Sequence, residues 1–317
     1  MKAIVLDRYG TPDVLYLADV PDPIPGANDV LVRVHASGVN PIDIGVRQGR
    51  VLPSDPHRFP MILGWDAAGI VEDIGDSVTD FVRGDRVVLI SKQPSTGIGT
   101  HAELIAVAST QVVKLPENIS FTTAAAIPLA GITALQVVKS LSLSPGQLVL
   151  INNSLGTVGG FASQIARQLG LKVISPASPQ MAEEARMQGV EMVVPSDQSL
   201  STSVREVVPE GVDGAIDLVG ADIAHQTFSA VKDGGAYATA LPEWWKPGGP
   251  YVEARAIKPI IVENKPNKAD LSQLVEWLNL GVLSPRIEHT FPLYRTAEAH
   301  RLHEMPGLTR KLVIENV

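Results

Sequence analysis

The stretch VLINNSLGTVGG, from Val149 to Gly160, carries the parts of a phosphate-binding turn. An apolar run ends, glycines follow, and helical spacing begins at Val158. A helix N-terminus offers unpaired N–H groups and the positive end of a dipole, which suits a pyrophosphate. Gly156 and Gly159 let the backbone turn tightly and approach the phosphates. Asn153 stands where a first glycine is expected, and asparagine tolerates left-handed backbone angles better than most residues. The same glycines also suit an ordinary strand–helix connection, with Gly159 serving only close packing.

The next apolar segment, LKVISPASPQ, ends in Ser175, Pro176, Ala177 and Ser178, with no acid. A carboxylate there would bind an unphosphorylated ribose and repel a 2′-phosphate, whereas a serine hydroxyl can donate to one. The pattern leans toward NADPH and leaves NADH possible. Serines in such places also serve as plain loop and N-cap residues.

These residues need elements to hold them. DVLVRVHASGVN alternates, with Val30, Val32 and Val34 on one side and Arg33 and His35 on the other, which is strand periodicity. AAGIVEDIG and GDRVVLI add short strands between turn signals, so the first third reads as a β-rich, barrel-like domain. Beyond LPENIS, strand-like and helix-like segments alternate. QLVLIN is followed by Val158, Phe161, Ala162, Ile165, Ala166 and Leu169 at helical spacing, then GLKVIS, PQMAEEARMQG, GVEMVV, GAIDLVG and GGAYATAL. That rhythm predicts an α/β fold with a doubly wound parallel sheet. ADLSQLVEWLNLG reads as a helix closed by Gly281, with Trp277 in the core, and RKLVIENV as a strand returning to the first domain.

Composition narrows the function. The chain has 317 residues, which suggests one large domain or two of ordinary size, and is 45% hydrophobic. It has no cysteine, which removes disulfides and thiolate zinc sites. A net charge of −8 argues against a nucleic-acid surface, and no apolar run approaches membrane-spanning length. MKAIVLDRYG lacks the pattern of a signal peptide, so a cytoplasmic setting is expected. No G-x-S-x-G elbow and no P-loop occur.

Six blocks in order carry a wider likeness: HASGVNPIDIGVRQG, PMILGWDAAGIVEDIG, FVRGDRVV, GTHAELIAV, LPENISFTTAAAIPLAGITAL and LGTVGGFASQIARQLG. Together they resemble the zinc-free quinone oxidoreductase branch of the medium-chain dehydrogenase/reductase superfamily, over essentially the whole chain. The resemblance implies a GroES-like catalytic domain of residues 1–118 and 273–317, a Rossmann cofactor-binding domain of residues 119–272, and a homodimer. Trp65–Asp66 stands where zinc-dependent relatives have a histidine–glutamate pair.

The likeness also implies roles. Asn40 and Asp43 match the N-P-x-D element bordering the nicotinamide and substrate. Thr133 matches a threonine at the nicotinamide end, and Gly156, Thr157 and Val158 match the pyrophosphate turn. Ser178 falls at the 2′-phosphate serine, Leu241 follows a strand ending beside the nicotinamide, and Arg310 and Lys311 lie in a C-terminal element that closes over the cofactor. Asn153, Met181 and Ser196 depart from the pattern, with Met181 replacing a lysine that holds the 2′-phosphate. Arg186, about two turns past Ser178, is the candidate substitute. Gly45 stands where quinone reductases often have a pocket tyrosine.

Hydride transfer to a quinone or an enone leaves an electron-rich oxygen that needs hydrogen-bond donors and then a proton. Candidate donors are Asn40, Lys92 and His101. Lys92 also reads as a solvated lysine, His101 as a loop histidine and Asp43 as a brace for the turn after Pro41. His300 and His303 read as a solvated helix face, and Trp244–Trp245 as a wall for the substrate. The expected activity is NADPH-dependent reduction of a small-molecule quinone or α,β-unsaturated carbonyl. Gly45 keeps an enoyl-thioester reductase open, and Asn153, Met181 and Ser196 keep open a cofactor-binding protein with little catalysis.

Overall fold

A computed structural model describes residues 1–51, 59–91, 97–241 and 253–316. The chain divides into two compact units. The first comprises residues 1–129, 266–280 and 285–317; the second comprises residues 130–265 and 281–284.

The first unit opens with β1 (Lys2–Leu6), β2 (Tyr16–Asp19), β3 (Asp29–Val39), α1 (Pro41–Arg47), β4 (Met61–Ile62) and β5 (Asp66–Ile74). It continues with β6 (Arg86–Ile90), β7 (Leu104–Ala108), β8 (Val112–Lys114) and α2 (Phe121–Ala125). In β3 Val30, Val32 and Val34 are buried and Arg33 is exposed, but Leu31, on the Arg33 side, is buried too. From Ala36 to Val39 every residue is buried, because both faces of the strand are then covered. Val30, Val32 and Val34 pack with Ala67, Val71, Val87, Leu89 and Ile105 in one core.

The chain enters the second unit through α3 (Pro128–Ser140). There follow β9 (Leu148–Ile151), α4 (Thr157–Gln168), β10 (Lys172–Ala177), α5 (Ala182–Met187), β11 (Met192–Pro195), α6 (Leu200–Val207), β12 (Val212–Asp217), α7 (Ala221–Ala230), β13 (Val231–Thr239) and β14 (Pro259–Ile261). All neighbouring strands are parallel, in the order β11-β10-β9-β12-β13-β14. This is a doubly wound sheet whose direction of winding reverses after β9, and ligands of such sheets bind at the carboxyl ends of the strands near that reversal. The buried face of α4 is broader at its start and shorter at its end than the periodicity implies. Gly159, Gly160 and Ser163 are buried with Phe161, Ala162, Ile165 and Ala166, while Leu169 caps the helix and stays 36% exposed.

Back in the first unit lie α8 (Lys268–Asn279), β15 (Ile287–Pro292), α9 (Thr296–His303) and β16 (Lys311–Glu315). Trp277 and Leu274 of α8 are core residues, as their spacing implies. The last strand pairs antiparallel with β3 and completes a sheet ordered β15-β16-β3-β5-β6-β8, with β7 also on β3.

Candidate active site

In the doubly wound unit, β9 ends at Ile151 and α4 begins at Thr157, with Gly156 as an extended N-cap that makes no side-chain capping bond. The first N–H groups of the helix are therefore not spent on a capping side chain. A Cβ on Gly159 would lie 1.8 Å from the Asn153 carbonyl oxygen, so only glycine allows the helix to approach the turn this closely. A Cβ on Gly156 would lie 2.6 Å from Asn153 Nδ2. Backbone N–H groups at a glycine-bearing helix N-terminus fit a pyrophosphate. Thr157 and Val158 are half-buried at the mouth of α4.

Asn152, which its composition alone did not single out, supports this turn. Its Nδ2 donates to Asp217 Oδ1 at 2.6 Å and to Thr227 Oγ1 at 3.0 Å, and its Oδ1 accepts from Leu218 N at 2.8 Å. Thr239 Oγ1 donates to Asp217 Oδ2 at 3.2 Å and accepts from Leu241 N at 3.0 Å. The carboxyl ends of β9, β12 and β13 are thus tied together, and Leu241 is set by that network. The signal in the sequence was the aspartate closing the GAID strand.

The two serines at the end of β10 differ. Ser175 is fully buried; its hydroxyl donates to Ile151 O at 2.6 Å and bonds Ser154 Oγ at 2.7 Å. It locks β10 to β9 and is not presented to a ligand. Ser178 is half-buried, extended, and makes no capping bond. Arg186 is exposed and sits 3.6 Å from the Glu183 carboxylate. Thr133 Oγ1 accepts from Asn264 Nδ2 at 2.6 Å.

In the barrel unit, Asn40 and Asp43 of the N-P-x-D element meet Asp66 of β5 and Lys311 of β16 in the interior. Asn40 caps α1, and its backbone N–H donates to Asp43 Oδ2 at 2.9 Å. Asp43 Oδ1 accepts from Gly64 N at 2.9 Å. Full burial pushes the Asp43 carboxyl up to about 7, against the two backbone donors that favour its charged form. Asp43 is thus a brace between α1 and the segment before β5. Asn40 Nδ2 donates to Asp66 Oδ2 at 2.9 Å, and its Oδ1 accepts from Lys311 Nζ. Lys311 also donates to Asp66 Oδ2 at 2.9 Å, and Asp66 Oδ1 accepts from Leu129 N at 2.8 Å. The carboxamide of Asn40 is held in one orientation by an ammonium on its oxygen and a carboxylate on its nitrogen. An ammonium sits on Asp66, the residue that stands in place of the zinc relatives' glutamate.

His101 lies in the bend before β7, as a loop histidine, but it is not solvated. It is fully buried, with Nδ1 3.1 Å from Ser37 Oγ and Nε2 without a partner among the described residues. Burial first, and then the Lys311 charge, lower its pKa to about 3, so it is neutral at pH 7. His300 corrects the solvated-face expectation: it is fully buried, neither ring nitrogen has a partner among the described residues, its ring centroid is 6.1 Å from that of His101, and only His303 reaches partial exposure. Helix α9 presents this side to the core because Ile4 and Leu6 of β1, Met61 of β4 and Leu312 and Ile314 of β16 cluster with its Ala299. Gly45 is also buried; Val51 packs 2.9 Å from where its Cβ would stand and fills that space. Arg310 lies 3.5 Å from Glu288. Lys92 and Trp244–Trp245 lie outside the described residues.

Comparison with known proteins agrees with this architecture. Residues 26–117 match the alcohol dehydrogenase GroES-like domain, and residues 188–314 match the zinc-binding dehydrogenase family. Quinone oxidoreductase from Sus scrofa is 32% identical over 99% of this chain and 97% of its own length. NADPH-dependent alkenal/one oxidoreductase from Arabidopsis thaliana is 29% identical over 99% of this chain and 79% of its own. A solved NAD-dependent alcohol dehydrogenase superposes with a TM-score of 0.91 at 29% identity, covering all of both chains. A GroES-like domain joined to a Rossmann sheet defines a medium-chain dehydrogenase/reductase. The chain belongs to the quinone oxidoreductase branch of that superfamily. It is an oxidoreductase, and its family implies a nicotinamide cofactor.

Proposed function

We propose that the protein reduces a small-molecule quinone or α,β-unsaturated carbonyl with NADPH, without zinc. The observation that carries this reading is the glycine-lined mouth of α4 beside a β10 end that bears serine and no acid. Gly156, Thr157, Val158 and Asn153 would hold the pyrophosphate. Ser178 and Arg186 would meet the 2′-phosphate, Thr133, Leu241 and Asn40 the nicotinamide end, and Arg310 the outer face of the cofactor. Ser175 serves the cradle indirectly, by locking β10 to β9.

When bound, the nicotinamide supplies a hydride to the acceptor. The chain's own part is to orient the acceptor and stabilise the oxygen that becomes electron-rich. In the barrel unit, the Lys311 ammonium polarises Asn40 and offsets Asp66. Asp43 keeps the Asn40 turn in place, and His101 acts as a neutral buried neighbour of Lys311 rather than as an acid in contact with substrate. Lys92 is kept as the candidate donor from its own segment. The assembly implied by the family likeness is a homodimer in the cytoplasm; no helix among the described residues is long and apolar enough to cross a membrane.

Parallel titration with NADPH and NADH, followed by a quinone and enone turnover panel, tests the proposal. Tighter NADPH binding and turnover with at least one quinone or enone are expected. Absence of binding to either dinucleotide would remove the reading. Brisk turnover would exclude a purely binding role. Gly45 no longer favours a bulkier thioester acceptor, since Val51 occupies the space a side chain there would need.

A further inference from the structure

We propose that Asn153 is a phosphate-binding side chain, so that the turn holds the cofactor's pyrophosphate with a carboxamide as well as with backbone N–H groups. This rests on the dinucleotide reading above and reverses the sign that the loss of a glycine carries in the sequence.

The two asparagines of the NNS turn behave oppositely. Asn152 is buried, and its carboxamide makes three hydrogen bonds that tie β9 to β12 and α7. Asn153 is half-buried, and its side chain makes no hydrogen bond to any described residue. Its backbone is fixed: the carbonyl accepts from Gly156 N at 3.1 Å and is the atom that Gly159 must avoid. Its carboxamide lies across Gly156, with Nδ2, Cγ and Oδ1 at 2.6, 3.0 and 3.1 Å from the position of a Gly156 Cβ. An anchored residue therefore lays an unspent amide over the uncapped N-terminus of α4.

An amide carries two N–H donors and a carbonyl acceptor. Because no described residue holds this one, it can turn its donors to an anion without breaking a bond to any of them. Hydrogen bonds to charged acceptors are stronger than neutral ones, so the gain exceeds the cost of fixing one short side chain. Glycine at this position would offer the same backbone and no donor. The absence of a capping side chain on α4 fits this arrangement, since the ligand and Asn153 together satisfy the helix end.

The experiment uses the full chain and three variants, Asn153→Gly, Asn153→Ala and Asn153→Asp. Calorimetry measures the dissociation constants of NADPH, of ADP-ribose, and of adenosine 2′-monophosphate, which lacks the pyrophosphate. Loss of one charge-assisted bond predicts roughly tenfold weaker NADPH and ADP-ribose binding in the Gly and Ala variants, and a larger loss in the Asp variant. Adenosine 2′-monophosphate affinity stays unchanged, and so does the melting temperature of the ligand-free Ala variant. NADPH binding that is equal or tighter in Asn153→Gly makes the side chain a plug and overturns the proposal. Equal losses for all three ligands also overturn it, since they mean a general change in the turn. A wild-type chain that binds neither NADPH nor NADH instead refutes the underlying dinucleotide reading.

Discussion

Lys311 and Asp66 meet at 2.9 Å inside the barrel unit, with side chains 3% and 0% exposed. One belongs to the last strand and the other to the first residue of β5. The ammonium also holds Asn40, so this contact joins stability to the orientation of a candidate site residue.

Replacing Lys311 with methionine leaves the Asp66 carboxylate buried without its cation. Breaking such a pair from one side costs about 3–5 kcal/mol. Urea denaturation of Lys311→Met is expected to show that loss, and the double variant Lys311→Met with Asp66→Leu to recover much of it. A single variant as stable as wild type would remove the pair from the structural account.

Acid should destabilise the barrel unit, with opposing contributions. His101 has its folded pKa near 3 against an ordinary 6.5, so the unfolded chain binds the proton more readily between those values, and stability falls as pH drops through that window. His300 is shifted in the same direction by burial and adds to the fall. Asp43 works the other way: raised to about 7 from 3.8, it gives stability that is complete below 3.8 and lost as pH rises through 7. Asp43→Asn removes this acid-favouring contribution. Its unfolding free energy should therefore drop more steeply than wild type between pH 7 and pH 5, whatever its value at neutral pH. A shallower slope would mean that the Asp43 carboxyl is not raised in the folded chain.

The serines of β10 separate stability from selectivity. Ser175→Ala should cost about 1 kcal/mol by removing bonds that lock β10 to β9. The ratio of NADPH to NADH affinity should be unaffected. Ser178→Ala should lower that ratio severalfold and leave the melting temperature in place. The opposite assignment of effects would show that Ser175 reaches the ligand.

Gly159→Ala tests the close approach at the mouth of α4. The added methyl would fall 1.8 Å from the Asn153 carbonyl, so helix and turn must separate. Overpacking of this kind costs about 1–3 kcal/mol. Dinucleotide binding is expected to vanish in equilibrium titration while the folded barrel unit persists by near-UV circular dichroism.

Much of this molecule is legible in short segments. The valines of β3, the glycines before α4 and the strand–helix rhythm all express local periodicity, and each lies where its pattern puts it. What escapes is whatever depends on distant segments. His300 looks like one polar residue on a short helix, and only the strands packed against it make it interior. Ser175 looks ligand-facing because its partners, Ile151 O and Ser154, lie on another strand and turn. Asp66 shows no partner in its own segment, because Lys311 arrives from 245 residues away.

That separation has a consequence for how the protein is made. Chains emerge at about 5–20 residues per second, so Asp66 waits roughly 12–50 seconds before Lys311 exists to neutralise it. During that time β3 also lacks β16, its antiparallel neighbour, along an edge that stays open to other chains. The doubly wound unit, built almost wholly from residues 130–265, has every one of its strands by then. The barrel unit begins first and finishes last, and a ribosome-stalled chain lacking its final strand is the species a chaperone would meet.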